Sequence, residues 1–310
     1  MTSLEISTQA SQQIGPLDVW PLRWTGLSKV NYEVPPAISR LKFSEHDDGD
    51  GPRVEWIEVS NPTEDPFIIP SGWIVGAELN QVRTFNHSEH IMPRETILAS
   101  VSCVEKGRWG VGKNVVDGGR APFTVNAAGW NFDWNQGMWK LDRESRQSRV
   151  WDQVHKQEER SGTRPTNSLE QVMREDSSQE YVPRVIQTVS GHVLKPIKGQ
   201  NGVLVAYEGQ PLIMELFSNT ESLRKTLSQL MRAISFDVEH LEYLPTDRET
   251  VERFINEASL NKLQQISDND WALLLSGGTS GVETRASMDL EERFLQITVM
   301  NRRHRVLAGV

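Results

Sequence analysis

Gly202-Val203-Leu204-Val205-Ala206-Tyr207 and Pro211-Leu212-Ile213-Met214-Glu215-Leu216-Phe217 are two apolar runs separated by the turn dipeptide Glu208-Gly209. This is a β-hairpin signature. Ser218 and Glu221 follow at capping-box spacing, and Leu223, Leu227, Leu230, Met231 and Ile234 then recur on one helical face. Two strands that feed one amphipathic helix require a sheet with a helix laid on it.

Upstream, the signals are mostly β. Asp18-Val19-Trp20-Pro21-Leu22-Arg23-Trp24 suits an edge strand interrupted by Pro21, and Val54-Glu55-Trp56-Ile57-Glu58-Val59 suits a strand that ends at the Asn61-Pro62 turn. Residues 67–70, 73–75 and 95–101 read as further short strands. Helical signals come later: residues 145–160 place Val150, Trp151 and Val154 on one face, Asn167 caps a short helix through Met173, and Thr246 with Glu249 opens a helix carrying Val251, Phe254, Ile255 and Ala258. Residues 271–275 read as a buried strand, 277–281 as a flexible turn and 293–300 as a last strand.

Regular βαβ alternation is missing, so the expected class is α+β, with a β-rich N-terminal half packed against a C-terminal half of hairpins and amphipathic helices. Residues 1–16 are polar and without period, and are expected to be a flexible lead-in. Residues 17–310 then form one domain, divisible into lobes at 17–144 and 145–310.

Charge and cysteine content narrow the partners. The 33 basic against 42 acidic residues give a net charge of −9, which argues against nucleic acid. No run approaches the roughly 20 apolar residues of a membrane helix, and Met1-Thr2-Ser3-Leu4-Glu5 lacks a signal-peptide pattern. Cys103 is the lone cysteine, so no internal disulfide forms. A cytoplasmic protein without a membrane partner is expected, with a homo-oligomer left open. The identity of any cofactor is left open.

The chemistry concentrates in Ser102-Cys103-Val104-Glu105-Lys106-Gly107-Arg108-Trp109, directly after the apolar run 97–101. Gly107 to Lys113 nearly spells a phosphate-binding loop, but Asn114 stands where a hydroxyl is needed and the following residues do not suit a helix. His46, His87 and His90 lie in stretches that read as solvated loops rather than a metal site, and the acidic loop at 45–51 fails as an EF-hand. Trp130, Trp134 and Trp139 suit a core, a stacking platform or a partner surface, with the core reading favoured. Cys103 has two readings, a nucleophile whose pKa Lys106 or Arg108 would lower and an inert packing residue. Glu105 and Arg108 likewise suit a structural clasp, with each other or with Arg83, or a ligand contact with Trp109 stacking on a base.

Val101 to Trp109 resembles the signature of the ARG and Rhodanese-Phosphatase-superfamily-associated Protein domain, where ARG denotes ADP-ribosylglycohydrolase. Gly76-Ala77-Glu78-Leu79-Asn80-Gln81-Val82-Arg83 resembles that family's glycine and Gln-x-Arg segment, and the Gly202 to Phe217 hairpin with its helix is similar to its C-terminal unit. The resemblance implies binding or processing of a nucleotide-derived small molecule related to ADP-ribose. Arg83 and Arg108 would hold phosphate, Gln81 and Glu105 would bond ribose or base, and Trp109 would stack. Were the chain catalytic, Glu105 is the candidate general base and Cys103 the weaker candidate nucleophile. The alternative is a non-catalytic interaction or scaffold domain using the tryptophan-rich segment 130–139.

Overall fold

The computed structural model describes residues 6–25, 28, 30–49, 51–76, 79–107, 118–130, 143–162, 166–175, 197–258, 263–268, 272–279, 281–308 and 310. The N-terminal strands are β1 (Ile6–Thr8), β2 (Gln12–Ile14), β3 (Leu17–Trp24), β4 (Lys42–Asp47), β5 (Pro52–Ser60), β6 (Phe67–Ile69), β7 (Ile74–Val75), β8 (Arg83–Phe85), β9 (Glu89–Ile91) and β10 (Thr96–Cys103). Helices α1 (Phe123–Gly129), α2 (Arg143–Ser161) and α3 (Leu169–Glu175) follow. The hairpin β11 (Gly202–Tyr207) and β12 (Gln210–Phe217) leads into α4 (Thr220–Ser235) and α5 (Arg248–Glu257), and β13 (Gln264–Asp268), β14 (Ala272–Gly278), β15 (Val282–Asp289) and β16 (Phe294–Asn301) complete the chain. The class is α+β and rich in strand.

A nine-stranded antiparallel sheet runs β1-β3-β11-β12-β16-β15-β14-β13, with β2 also on β3. Its side chains alternate between two cores, as strand geometry demands. Leu17, Val19, Val203, Val205, Ile213 and Phe217 point to the face covered by α4. Trp20, Leu22, Leu204, Met214, Leu216, Ile297 and Val299 point to the face covered by α5 through Val251 and Phe254.

The hairpin turn is the two-residue kind that needs φ above zero at both positions: Glu208 stands at φ 52° and Gly209 at 72°. Leu223, Leu227, Leu230, Met231 and Ile234 of α4 are buried as the sequence period requires, each contributing about 1.5–3 kcal/mol by leaving water.

Three helix caps sit one residue beyond their expected positions. Asn219, not Ser218, accepts the Ser222 N–H at 2.7 Å. Asp247, not Thr246, accepts that of Thr250 at 2.8 Å. Ser168, not Asn167, accepts that of Gln171 at 3.3 Å. Each expected residue has a cap-competent neighbour, so spacing alone left the choice open.

Two further expectations change. The stretch read as a lead-in supplies β1 and β2, and Ile14 enters the core. Strand β3 is unbroken and interior, despite Pro21. The Pro21 carbonyl accepts from Gln9 N, so its nitrogen also faces the gap between β1 and β2, where no ladder bond needs an N–H.

A second layer is built by the sheet β4-β5-β10-β8-β7 and the pair β6-β9. Its core includes Phe43, Ile57, Phe67, Trp73, Phe85 and Val101. It meets the large sheet on the face that β16 presents at Leu295. A register shift between Ser287 and Met288 leaves Leu295 outside the β15 pairing, and its side chain joins Tyr32, Val34 and Ile68. Helices α1, α2 and α3 share a further core with Val82 and Val104. Among the described residues no helix is long and apolar enough to cross a membrane.

Candidate functional site

Strand pairing brings four of the six expected site residues together. Arg83 of β8 stands opposite Cys103 of β10, which carries Gln81 and Glu105 to the same place. All four are buried. The Glu105 carboxylate accepts the Val82 N–H at 3.1 Å and the Ser168 hydroxyl at 2.9 Å. Gln81 donates to the Glu105 carbonyl at 3.1 Å and accepts from Arg83 Nη1 at 3.2 Å, while Arg83 Nη2 reaches Glu45 at 3.4 Å.

Cys103 is folded back on the same segment. Its Sγ donates to the Glu105 carbonyl at 3.2 Å and accepts the Glu105 N–H at 3.3 Å. Burial pushes the thiol pKa up, and the opposing pull of Arg83 does not reverse it. The side-chain amide of Gln147 in α2 bonds both the N–H and the C=O of Cys103, at 2.9 and 2.7 Å, and so seals the end of β10. The remaining two, Arg108 and Trp109, lie outside the described residues, as does most of the near-miss phosphate loop.

A second cluster, which the sequence reading missed, occupies the junction between the large sheet and the second layer. Glu215 of β12 is paired across the sheet with Thr298 of β16, and Thr298 with Arg285 of β15. Their side chains share one face. Arg120 binds Glu215, and both are about 1% exposed or less. Glu283 takes Arg285 at 3.3 Å and Arg302 at 2.8 Å.

From the opposite side, Arg146 of α2 donates to Ser100 at 3.2 Å, and Asn86 after β8 accepts from Arg285 at its carbonyl at 3.3 Å. His87 touches Arg285 through Nδ1. Burial, then the charges of Arg285 and Arg146, hold the His87 pKa well below its ordinary value, so the neutral ring accepts from the guanidinium. Trp130, the residue that ends α1, lies under Arg285 at 4.4 Å, and its carbonyl accepts from Arg302 at 3.0 Å.

The electrostatics of this junction are uneven. Among the described residues, Arg120, Arg146, Arg149, Arg285 and Arg302 bring five guanidinium groups, and Glu215 and Glu283 bring two carboxylates. Burial pushes Arg285 down to about 10, with Glu283 pulling the other way. Burial would raise Glu283, but Arg302 and Arg285 outweigh it and hold the carboxyl below its usual range. Arg149 is also lowered, by burial and then by Arg302. Nearby, Glu89 accepts the Ser100 N–H at 3.3 Å, and burial pushes it up to about 8. Grouped guanidinium groups of this kind are able to donate to the oxygens of one anion together.

The sequence held one usable signal for this cluster, the solitary Glu215 in an otherwise apolar central strand. Of the tryptophan-rich segment, Trp130 is buried at 2% exposure, while Trp134 and Trp139 lie outside the described residues. A separate cleft of about 610 Å³ opens beside α5, where Arg303 and Arg305 are tied to Glu257 and Glu208. It shares no residue with either cluster.

A family model described as ARPP-1, the ARG and Rhodanese-Phosphatase-superfamily-associated Protein domain, matches residues 5–280. Comparisons with curated proteins and with solved structures give no match.

Proposed function

Because this chain belongs to the ARPP-1 domain family, we propose that it binds a phosphate-bearing, nucleotide-derived small molecule of the ADP-ribose class in the arginine-lined junction between its two layers. The observation that supports this reading is the grouping, among the described residues, of Arg120, Arg146, Arg149, Arg285 and Arg302 at the junction that also holds Glu215 and Glu283. An anion with several oxygens can accept from more than one of these guanidinium groups at once. The family description points to ADP-ribose chemistry and so favours a nucleotide diphosphate over a simple carboxylate.

In this reading Gln81, Arg83, Cys103 and Glu105 act as a brace. Ser100 and Ser102 point from β10 toward Asn86 and Arg146, and Cys103 occupies the alternate face of the strand. The bonds of Gln147 and Ser168 then hold α2 and α3 against the strand that carries the site. The scaffold alternative rests on an exposed tryptophan surface, and the burial of Trp130 weighs against it.

Thermal unfolding with ADP-ribose, NAD, ADP and AMP tests the reading. A hundredfold excess over Kd adds about 2.7 kcal/mol of stability. ADP-ribose is expected to raise the melting temperature of the wild type and not that of Arg285→Met. A folded protein that responds to none of these compounds overturns the reading.

A further inference from the structure

The cleft beside α5 has room for a ligand and lies apart from the arginine junction. Thr250, Arg253, Phe254 and Glu257 form one of its walls, and their spacing puts them on one face of α5. The other wall comes from the hairpin turn and the start of β12, at Gln210 and Pro211, and from residues 301–305 at the end of β16 and beyond. The volume of about 610 Å³ falls within the span, roughly 300–1,000 Å³, of sites that take small molecules.

Burial divides the lining into a floor and a rim. Pro211, Phe254, Asn301 and His304 are buried. Asn301 donates to the Pro211 carbonyl at 2.8 Å and accepts the Arg303 N–H at 3.1 Å, while His304 donates to the Tyr207 carbonyl at 3.0 Å and accepts the Val306 N–H at 3.2 Å. With those polar atoms committed, the floor offers apolar and ring surface. Burial also holds the His304 pKa below its ordinary value, so the floor is uncharged.

The rim is charged and exposed. Arg303 and Arg305 are tied to Glu257 and Glu208. Arg253 differs from both: among the described residues it forms no ion pair, and it is steadied by the Thr250 hydroxyl, to which it donates at 3.2 Å and which in turn donates to Asp247 at 2.8 Å. The exposed side-chain amide of Gln210 makes no hydrogen bond among the described residues. Three guanidinium groups thus face two carboxylates, which leaves one positive charge above an apolar floor.

We propose that this cleft binds a small organic anion, a ring or short apolar body that carries one carboxylate or phosphate. The body rests on Pro211, Phe254 and His304, the charged group meets Arg253, and the Gln210 amide bonds it from the other wall. A guanidinium has five N–H groups, so Arg253 can hold Thr250 and still grip an anion with two parallel bonds. This site is independent of the junction reading, since the two places share no residue.

Titration of isotope-labelled protein with benzoate, phenyl phosphate, inorganic phosphate and benzyl alcohol tests it. Affinities read at the backbone amides of Gln210 and Arg303 report the cleft and do not count anions held at the junction. The wild type is expected to bind benzoate or phenyl phosphate at about millimolar concentration, and about tenfold more tightly than inorganic phosphate, which lacks the body, or benzyl alcohol, which lacks the charge. The stronger of the two aromatic anions identifies the charged group as carboxylate or phosphate. Arg253→Gln should bind it about tenfold more weakly with an unchanged melting temperature, because the residue is exposed. Glu257→Gln releases Arg303 from its carboxylate and should bind the same anion more tightly. Silence of both amides toward both aromatic anions, or equal affinity in the wild type and Arg253→Gln, overturns the site. Benzyl alcohol bound as tightly as benzoate overturns an anion as its occupant.

Discussion

The guanidinium of Arg285 lies over the ring of Trp130, 4.4 Å from its centroid, and joins a middle strand of the large sheet to the end of α1. The same guanidinium donates to the Asn86 carbonyl and pairs with Glu283. One side chain therefore binds the sheet, the first helix and the second layer. Glu283 also pairs with Arg302, so one carboxylate is shared by two guanidinium groups.

Glu283→Gln leaves Arg285 and Arg302 without that carboxylate. Breaking a buried pair in this way costs about 3–5 kcal/mol, so the urea midpoint should fall well below that of the wild type. The junction also becomes more positive. Inorganic phosphate should therefore stabilise Glu283→Gln more than it stabilises the wild type at equal ionic strength. Equal stabilisation of the two proteins would count against an anion site at this junction.

Glu89 gives the stability a defined pH dependence. Its folded pKa of about 8 lies above its ordinary value of 4.5, so the folded state holds a proton that the unfolded chain gives up. That contribution is complete below about pH 4.5 and is lost as pH rises through 8. Glu89→Gln should remove the decline and be the more stable protein at pH 9. His90 acts in the opposite sense: burial lowers it from 6.5 to about 3, so its contribution is lost as pH falls across that interval. Urea midpoints measured from pH 4 to 9 check both slopes, and parallel curves for the wild type and Glu89→Gln would refute the first.

Asp237 caps α1 from a distant part of the chain. Helix α1 starts after Pro122 with no cap of its own, and the Thr124 N–H and hydroxyl both bond the Asp237 carboxylate, at 3.1 and 2.7 Å. Gln157 of α2 donates to the same group at 2.6 Å, and Arg160 lies 3.3 Å away. Asp237→Ala strands these donors and should cost about 3–5 kcal/mol, with Asp237→Asn intermediate. Hydrogen exchange at the Thr124 amide should accelerate more than the loss of global stability alone explains.

The hairpin and α4 were legible because each periodic signal ran uninterrupted into the next, from alternating strands through Glu208-Gly209 to the leucine stripe. Cap positions slipped by one because serine, threonine, asparagine and aspartate stand side by side at each helix start. Strand β3 looked like an edge because the gap between β1 and β2 that tolerates Pro21 is a property of pairing, and composition does not record it. The first cluster was legible in part, since Gln81, Arg83, Cys103 and Glu105 do meet. The arginine junction was hidden for a different reason. Glu283, Arg285 and Ser287 alternate with Val282, Thr284 and Ala286 as a solvent face would, and a strand looks the same whether its polar side meets water or a second layer.

Cys103 and Glu105 separate bracing from chemistry. In the brace, the thiol is closed off by the Glu105 backbone and carries a raised pKa, so native protein should react with a thiol reagent only at the rate of opening. Cys103→Ser preserves a group able to make both sulfur contacts and should leave ADP-ribose binding unchanged. Glu105→Gln can still accept the Val82 N–H, but its NH₂ then faces the Ser168 hydroxyl, which loses its acceptor and whose oxygen already accepts from Gln171. That should cost about 1–3 kcal/mol of stability. Reaction of the native thiol as fast as that of the unfolded chain, or loss of ligand binding in a fully stable Glu105→Gln, would return these two residues to the reacting centre.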